Sequence, residues 1–180
     1  PVQEMAEAID RGASIITVDP RFSTAASKSK FWLPIKPATD NALLLAWIHV
    51  LIYEGWFDKE FVEKYTYGFE DLKKHVKNMT PEWAYGITTI KPDVIRKTAK
   101  EMFNASPSVI IHPGRHATWY GDDTQRSRLM AMLNALLGSW GRRGGFYNPE
   151  KKKIAKLDIP KYPTPSKTWR DAFPGKYKLA

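Results

Sequence analysis

The sequence predicts an α/β fold built on a parallel sheet, and three observations carry that expectation. Two β-branched apolar runs, Ile15-Ile16-Thr17-Val18 and Val109-Ile110-Ile111, each stop abruptly at a polar cluster. Several segments with apolar residues at helical spacing lie between them, and another follows the second run. Ligands of such sheets gather outside the carboxyl ends of the strands. The clusters Asp19-Pro20-Arg21 and His112-Pro113-Gly114-Arg115-His116 are therefore expected to face one crevice.

The elements follow in order. Gln3 to Asp10 reads as the end of a helix with Gly12 as its stop, and Ser14 to Val18 as the first strand. Arg21 to Ser29 reads as a polar loop, and Phe31 to Ile35 as a short extended piece. Asp40 is placed as the N-cap of a helix through Tyr53, with Leu43, Trp47, Val50 and Leu51 on one stripe and Gly55 ending it. Asp58 caps a further helix whose inner side is Phe61, Val62 and Tyr65, and Phe69 to Val76 forms another short unit. Thr80-Pro81-Glu82 has the hydroxyl, proline and acid of a helix start. Pro92 opens the next helix, with Val94, Ile95, Thr98, Ala99 and Met102 recurring. The second strand, Val109 to Ile111, leads to a helix over 123–137. Gly138 stops that helix, and Gly141, Gly144 and Gly145 read as a flexible turn around Arg142 and Arg143.

Bulk properties exclude several classes. With 180 residues, 43% hydrophobic content and seven tryptophans, the chain is long and apolar enough to bury a core. The net charge of +9 comes mostly from the Pro- and Lys-rich stretch after residue 150. A nucleic-acid binder concentrates its charge on a folded face, so no nucleic-acid partner is expected. The absence of cysteine excludes a disulfide, a zinc–thiolate site or an iron–sulfur cluster within this stretch. The most apolar piece, Ala42 to Tyr53, is too short for a membrane span. The chain starts at Pro1, inside a helical pattern with no cap before it, and reads as a piece of a longer protein.

Three constellations could carry chemistry. Asp19 can accept from ribose hydroxyls or a base, and Arg21 can pair with a phosphate. A strand end closed by an Asp-Pro turn, with a surface Asp–Arg pair, explains the same residues. Asp40 is a good helix cap on its own, and its carboxylate could also face the N–H groups of a guanine. At the second strand end, Gly114 would let the backbone approach a ligand. Arg115 would attract an anion there, and His112 or His116 could supply protons near neutral pH. His49 and His75 lie inside helical patterns and read as structural. No glycine-rich dinucleotide turn, P-loop, metal-binding helix or Ser–His–Asp arrangement is present.

With these residues assembled, the chain resembles the catalytic subunits of the molybdopterin oxidoreductases, the dimethyl sulfoxide reductase superfamily. The matching pieces are Val18-Asp-Pro-Arg21, Pro37-Ala-Thr-Asp40 running into an apolar helix, and Tyr53-Glu-Gly-Trp-Phe-Asp-Lys-Glu-Phe-Val62. Thr80-Pro-Glu-Trp83 and Leu137-Gly-Ser-Trp-Gly-Arg-Arg-Gly-Gly145 complete the series over about residues 1 to 150. His112 to Gln125 looks most like the polysulfide and thiosulfate reductase branch.

The resemblance implies a Rossmann-like parallel sheet flanked by helices, the cofactor-binding domain of a larger multidomain enzyme. Residues 1–147 would be the molybdopterin guanine dinucleotide-binding region, and 148–180 an extended segment leading into a further domain. The implied cofactor is molybdenum bis(molybdopterin guanine dinucleotide), with a [4Fe–4S] cluster in an N-terminal part this sequence does not contain. Val18, Asp19, Pro20, Arg21 and Phe22 map to the loop against the guanosine, and Pro37, Ala38, Thr39 and Asp40 to the turn that gives guanine a carboxylate. Ala38 stands where glycine is usual in the family. Pro113, Gly114 and Ala117 map to the loop near pterin and metal, with Arg115 and His116 as the catalytic candidates. No residue of the chain maps to a metal ligand.

The implied reaction is reduction of a small inorganic sulfur anion, polysulfide or thiosulfate. Electrons would come from an iron–sulfur electron-transfer subunit, with a membrane anchor subunit, on the periplasmic face of the membrane. The alternatives are a tetrathionate or arsenate reductase of the same family. A basic α/β nucleic-acid-binding module is a reading of another class, and a nicotinamide-dependent dehydrogenase is disfavoured by the missing glycine fingerprint.

Overall fold

The computed structural model describes residues 2–112 and 123–147. Helix α1 (Val2–Asp10) ends where Gly12 turns into the left-handed region at φ 95°. There the Gly12 and Ala13 N–H groups close back on the Ile9 and Ala8 carbonyls. Strand β1 (Ile16–Val18) pairs in parallel with β2 (Phe31–Leu33), in the register Ile16–Phe31, Thr17–Trp32, Val18–Leu33. Between them the segment expected as a loop contains helix α2 (Thr24–Ser27), capped by the Ser23 hydroxyl. Four residues are too few to show a helical period, which is why the sequence pattern does not reveal it.

Helix α3 (Asp40–Tyr53) is the centre of the core. Nine of its fourteen residues are buried, from Ala42 round to Ile52. The expected single stripe is thus replaced by burial on nearly every side, and the helices Pro81–Thr88, Pro92–Ala105 and Asp123–Leu136 all pack on it. Asp40 is not the N-cap: Thr39 holds that position, and Asp40 is the first helical residue. A carboxylate there still sits favourably near the positive end of the helix dipole. Trp47, buried at mid-helix, donates its indole N–H to the Thr98 hydroxyl at 2.8 Å, and that hydroxyl donates to the Val94 carbonyl. The polar groups brought into this core are thereby satisfied.

Helix α4 (Lys59–Tyr65) is capped by Asp58 as expected, Oδ1 accepting from the Phe61 N–H at 2.9 Å. Phe61 and Val62 are buried, but Tyr65 is exposed rather than on the inner side. Helix α5 (Phe69–His75) runs into a 3-10 turn over Val76–Asn78. The Nδ1–H of His49 donates to the Val76 carbonyl at 2.8 Å, which makes it a structural residue. Helix α6 (Pro81–Thr88) starts at the Thr80 hydroxyl cap, and α7 (Pro92–Ala105) turns Ile95, Thr98, Ala99 and Met102 inward. Helix α8 (Asp123–Leu136) buries Leu129, Leu133 and Leu136. No helix among the described residues is long and apolar enough to cross a membrane.

Two expectations fail. Val109 to Ile111 forms no strand ladder among the described residues, since β-branched propensity makes a strand only where a partner lies alongside. The segment instead lies against the buried side-chain amide of Asn134 on α8. That amide accepts from the Ile111 N–H at 3.1 Å and donates to the Ile111 carbonyl at 3.4 Å. The glycine-rich segment after Gly138 is likewise not a loose turn. Phe146 N–H donates to the Ser139 carbonyl, Gly141 N–H to the Phe146 carbonyl, and Trp140 and Phe146 pack edge to face. Arg142 reaches back to Asp58 at 2.6 Å.

Gly145 is held so closely that a Cβ would lie inside contact distance of the Ser139 and Pro107 carbonyls. Replacing Gly145 with Ala is expected to destabilise the chain by about 1–3 kcal/mol, the usual cost of forcing volume into a packed site. A urea-unfolding midpoint for Gly145→Ala equal to that of the parent would refute the locked turn.

Candidate functional site

The carboxyl end of β1 turns outward through Asp19. Its Oδ1 accepts the Arg21 backbone N–H at 2.9 Å, and its carbonyl accepts the indole N–H of Trp32 at 2.8 Å. That backbone hydrogen bond is the main reason its carboxyl lies below the usual aspartate range, with the Arg21 charge a lesser one. The two side chains form no salt bridge among the described residues, so Asp19 closes the turn and Arg21 keeps its side chain available. Beyond it, Phe22 and Trp32 meet edge to face at 4.8 Å, forming an aromatic pair on the surface.

The Pro37 to Asp40 turn is fixed from both sides. Lys36 N–H donates to the Thr88 carbonyl of α6, and the Thr39 hydroxyl donates to the Lys36 carbonyl at 2.6 Å. Ala38 adopts φ 64°, the left-handed region that glycine enters freely and a Cβ resists. The turn thus demands the conformation of a glycine while carrying an alanine. Asp40 follows, its Oδ2 lying 3.6 Å from Arg126 Nη1, and Arg126 Nη2 lies 2.7 Å from Asp123 Oδ1. Next to it, Oδ1 of Asn41 is buried with no hydrogen-bond partner among the described residues.

A cleft of about 670 Å³ opens between β1, the start of α3, the end of α7, the segment Val109 to His112 and the start of α8. Its walls are apolar where Ile16, Val18, Leu43, Trp47 and Met130 meet. They are charged where Asp40, Arg126 and Glu101 reach it. Glu101 accepts from Lys30 at 2.8 Å, and this partner lowers its carboxyl below the ordinary range. Of the residues singled out from the sequence, Val18, Asp40 and His112 come together on this cleft. Asp19, Pro20, Arg21 and Phe22 stand outside its lining, as do Pro37, Ala38 and Thr39. Pro113, Gly114, Arg115, His116 and Ala117 lie outside the described residues. Among the described residues no three His, Asp or Glu converge as a metal-ligand set.

Sequence reasoning missed two residues here. Trp32 had a sequence signal only in its place on the extended Phe31 to Ile35 piece; its register opposite Thr17, next to the strand end, is visible only in the structure. Arg126 had only its three-residue spacing from Asp123, which predicts a local pair and nothing of its reach to α3.

Comparison with known proteins adds the family context. A family model described as molybdopterin oxidoreductase matches residues 2–176. The chain is 37% identical over 176 residues to the thiosulfate reductase molybdopterin-containing subunit PhsA of Salmonella typhimurium, covering 91% of this chain and 23% of that protein. It is 34% identical over 167 residues to the arsenate respiratory reductase molybdopterin-containing subunit ArrA of a Shewanella species, covering 80% and 20%. The structure of acetylene hydratase from Pelobacter acetylenicus superimposes with a TM-score of 0.77 at 32% identity, over 81% of this chain and 20% of that one. The chain thus spans about a fifth of the length of these relatives.

Ala38→Gly is expected to stabilise the chain by up to about 1 kcal/mol, the relief of left-handed strain partly offset by glycine's extra freedom when unfolded. A lowered urea midpoint would contradict the strained turn. The depressed Asp19 carboxyl contributes stability above the ordinary aspartate range that is lost as pH falls through its folded value. Asp19→Asn should therefore show a shallower loss of stability than the parent when unfolding is followed from neutral pH to about pH 3. Identical slopes would discount the Asp19–Arg21 hydrogen bond.

Proposed function

The chain belongs to the molybdopterin oxidoreductase family, and on that premise we propose that it forms part of the binding site for a molybdopterin guanine dinucleotide. The whole protein would reduce an inorganic sulfur anion, polysulfide or thiosulfate. The observation that supports this best is the shared cleft of Val18, Asp40 and His112, which joins the end of β1, the start of α3 and the Val109–His112 segment.

The residues present fit the nucleotide end of such a group. An Asp40 carboxylate with only Oδ2 turned to Arg126 has an oxygen to accept from adjacent N–H donors of guanine. The buried, unpartnered Oδ1 of Asn41 supplies a further acceptor beside it. Arg21 offers a cation to the phosphates, and the exposed Phe22–Trp32 pair offers an aromatic surface beside them. Asp19 and Pro20 shape the turn that presents Arg21. Pro37, Ala38 and Thr39 hold the start of α3. When bound, the group supplies two-electron chemistry at molybdenum. Pro113, Gly114 and Ala117 would form the loop near the pterin. Arg115 would draw in the anionic substrate, and His116 would hold a proton for it.

The other components are those the family resemblance implies. They are a [4Fe–4S] cluster in an N-terminal part, an iron–sulfur electron-transfer subunit, a membrane anchor subunit and a periplasmic location. The similarity to PhsA favours thiosulfate as substrate. The similarity to ArrA keeps arsenate as the second reading. The sheet would be Rossmann-like, completed by a strand from elsewhere in the protein laid between β1 and Val109–His112. An isolated two-stranded parallel sheet is otherwise rare, and Ile110 is 54% exposed on the cleft wall.

The purified whole protein should contain molybdenum and release guanine nucleotide on acid hydrolysis, and Asp40→Asn should lower nucleotide retention roughly tenfold, about 1.4 kcal/mol. Absence of both metal and nucleotide in the parent would overturn the reading. Turnover assays with thiosulfate, polysulfide and arsenate then assign the substrate. By amide hydrogen exchange, the Ile16, Val18 and Ile110 N–H groups, which face away from β2 and from Asn134, should be protected in the whole protein and exchange quickly in this chain alone. Equal exchange would refute the added strand.

A further inference from the structure

Arg126 occupies the first turn of α8, and its side chain is 20% exposed. It lies between two carboxylates of unequal burial. Asp123, 11% exposed, is engaged closely at 2.7 Å, whereas Asp40, 31% exposed, stands at 3.6 Å. A guanidinium is planar, with its donors in fixed directions. The short contact to Asp123 at Nη2 restrains the guanidinium, and Nη1 is the atom that lies near Asp40. Because α3 and α8 pack on each other, both first turns open on the same cleft, which Asp40 and Arg126 line together. The Asp40 contact is made through Oδ2 alone and is longer than a hydrogen bond. Among the described residues, Oδ1 of Asp40 accepts no hydrogen bond. A bidentate pair would have occupied both oxygens. The arrangement seen steers the carboxylate and leaves one oxygen for a ligand.

We propose that Arg126 is a positioning residue that sets nucleotide specificity: anchored by Asp123, it holds the Asp40 carboxylate in the orientation that selects a base with adjacent N–H donors. This rests on the assignment of Asp40 to the nucleotide in the preceding subsection. Guanine presents such an edge through N1–H and its exocyclic amine. Cytosine and adenine place an acceptor where guanine has N1–H, so a fixed carboxylate repels them, and a carboxylate free to rotate discriminates less.

The test uses the whole protein, freed of cofactor and reloaded from an equal mixture of the guanine and cytosine dinucleotide forms. Bound nucleotide is identified after acid hydrolysis. The parent should take up the guanine form at least about tenfold in preference, and Arg126→Met should bring the ratio towards unity, a change of about 1.4 kcal/mol. Arg126→Lys keeps the charge without the planar donors, so it should restore total uptake but only part of the preference. Asp123→Asn, which releases the anchor and leaves Arg126 in place, should lower the preference in the same direction and serves if Arg126→Met does not fold. Should Arg126→Met or Asp123→Asn lower uptake of both forms equally, the role is structural and the proposal fails. Should Asp40→Asn abolish the preference while Arg126→Met and Asp123→Asn retain it, the Asp40 assignment stands and the Arg126 proposal alone is overturned. Should Asp40→Asn retain the preference, the Asp40 assignment itself falls, and the proposal with it.

Discussion

The near-complete burial of α3 is the constraint from which the rest of the structure follows. A helix with nine inward residues out of fourteen keeps only the narrow Asn41, Leu45, His49 and Tyr53 face less buried, and α6, α7 and α8 are laid around the rest. Fully burying a large aliphatic side chain is worth about 1.5–3 kcal/mol, and Leu43, Ile48 and Leu51 are each fully buried. Burial also determines which polar groups the helix may carry. Trp47 is tolerated because Thr98 accepts its N–H, and His49 because Val76 accepts its own. Asp40 stands in the first turn, where the helix emerges beside the cleft. Its carboxylate there escapes the burial imposed on most of the helix and faces the positive end of the helix dipole.

What the sequence revealed, and what it hid, follows from the range of the interactions involved. Thr80 and Asp58 were legible as helix starts because a cap bonds within three residues of itself. The stripe read on α3 was too narrow, since burial on all sides erases the polar face that marks a helix orientation. Val109 to Ile111 looked like a strand because propensity is local, whereas the pairing that makes a strand is not. Tyr65 followed the helical spacing of Phe61 and Val62, yet α4 is too short and peripheral to cover it. At the site, family resemblance singled out Ala38 as a departure from glycine, and its positive φ gives that departure a physical meaning. Arg126 was invisible because its partner lies 86 positions earlier in the chain.

Asp58 connects these levels in one residue. One carboxylate oxygen caps α4 and the other holds Arg142, whose guanidinium lies over the Phe61 ring. The Asp58 N–H donates to the Leu136 carbonyl at the end of α8. The cap of one helix thereby fixes the exit of another, and α8 carries Arg126 and Asn134 at defined positions on the cleft side of the molecule. Gly138, where a Cβ would collide with the Asp58 carboxylate, keeps the space that this junction needs.

Asn134 has a consequence beyond anchoring Ile111. In an extended chain the N–H and C=O of one residue point to the same side, and those of its neighbours to the other. By taking both groups of Ile111, the amide does on one side what a neighbouring strand would do, then stops, because a side chain offers no continuing backbone. Pairing along that side is closed at Ile111, while among the described residues the neighbouring Ile110 backbone groups have no hydrogen-bond partner. An open backbone edge of any kind can pair with a second copy of the same chain. One buried amide, by closing both backbone groups of Ile111, leaves this segment a single side on which backbone pairing could begin.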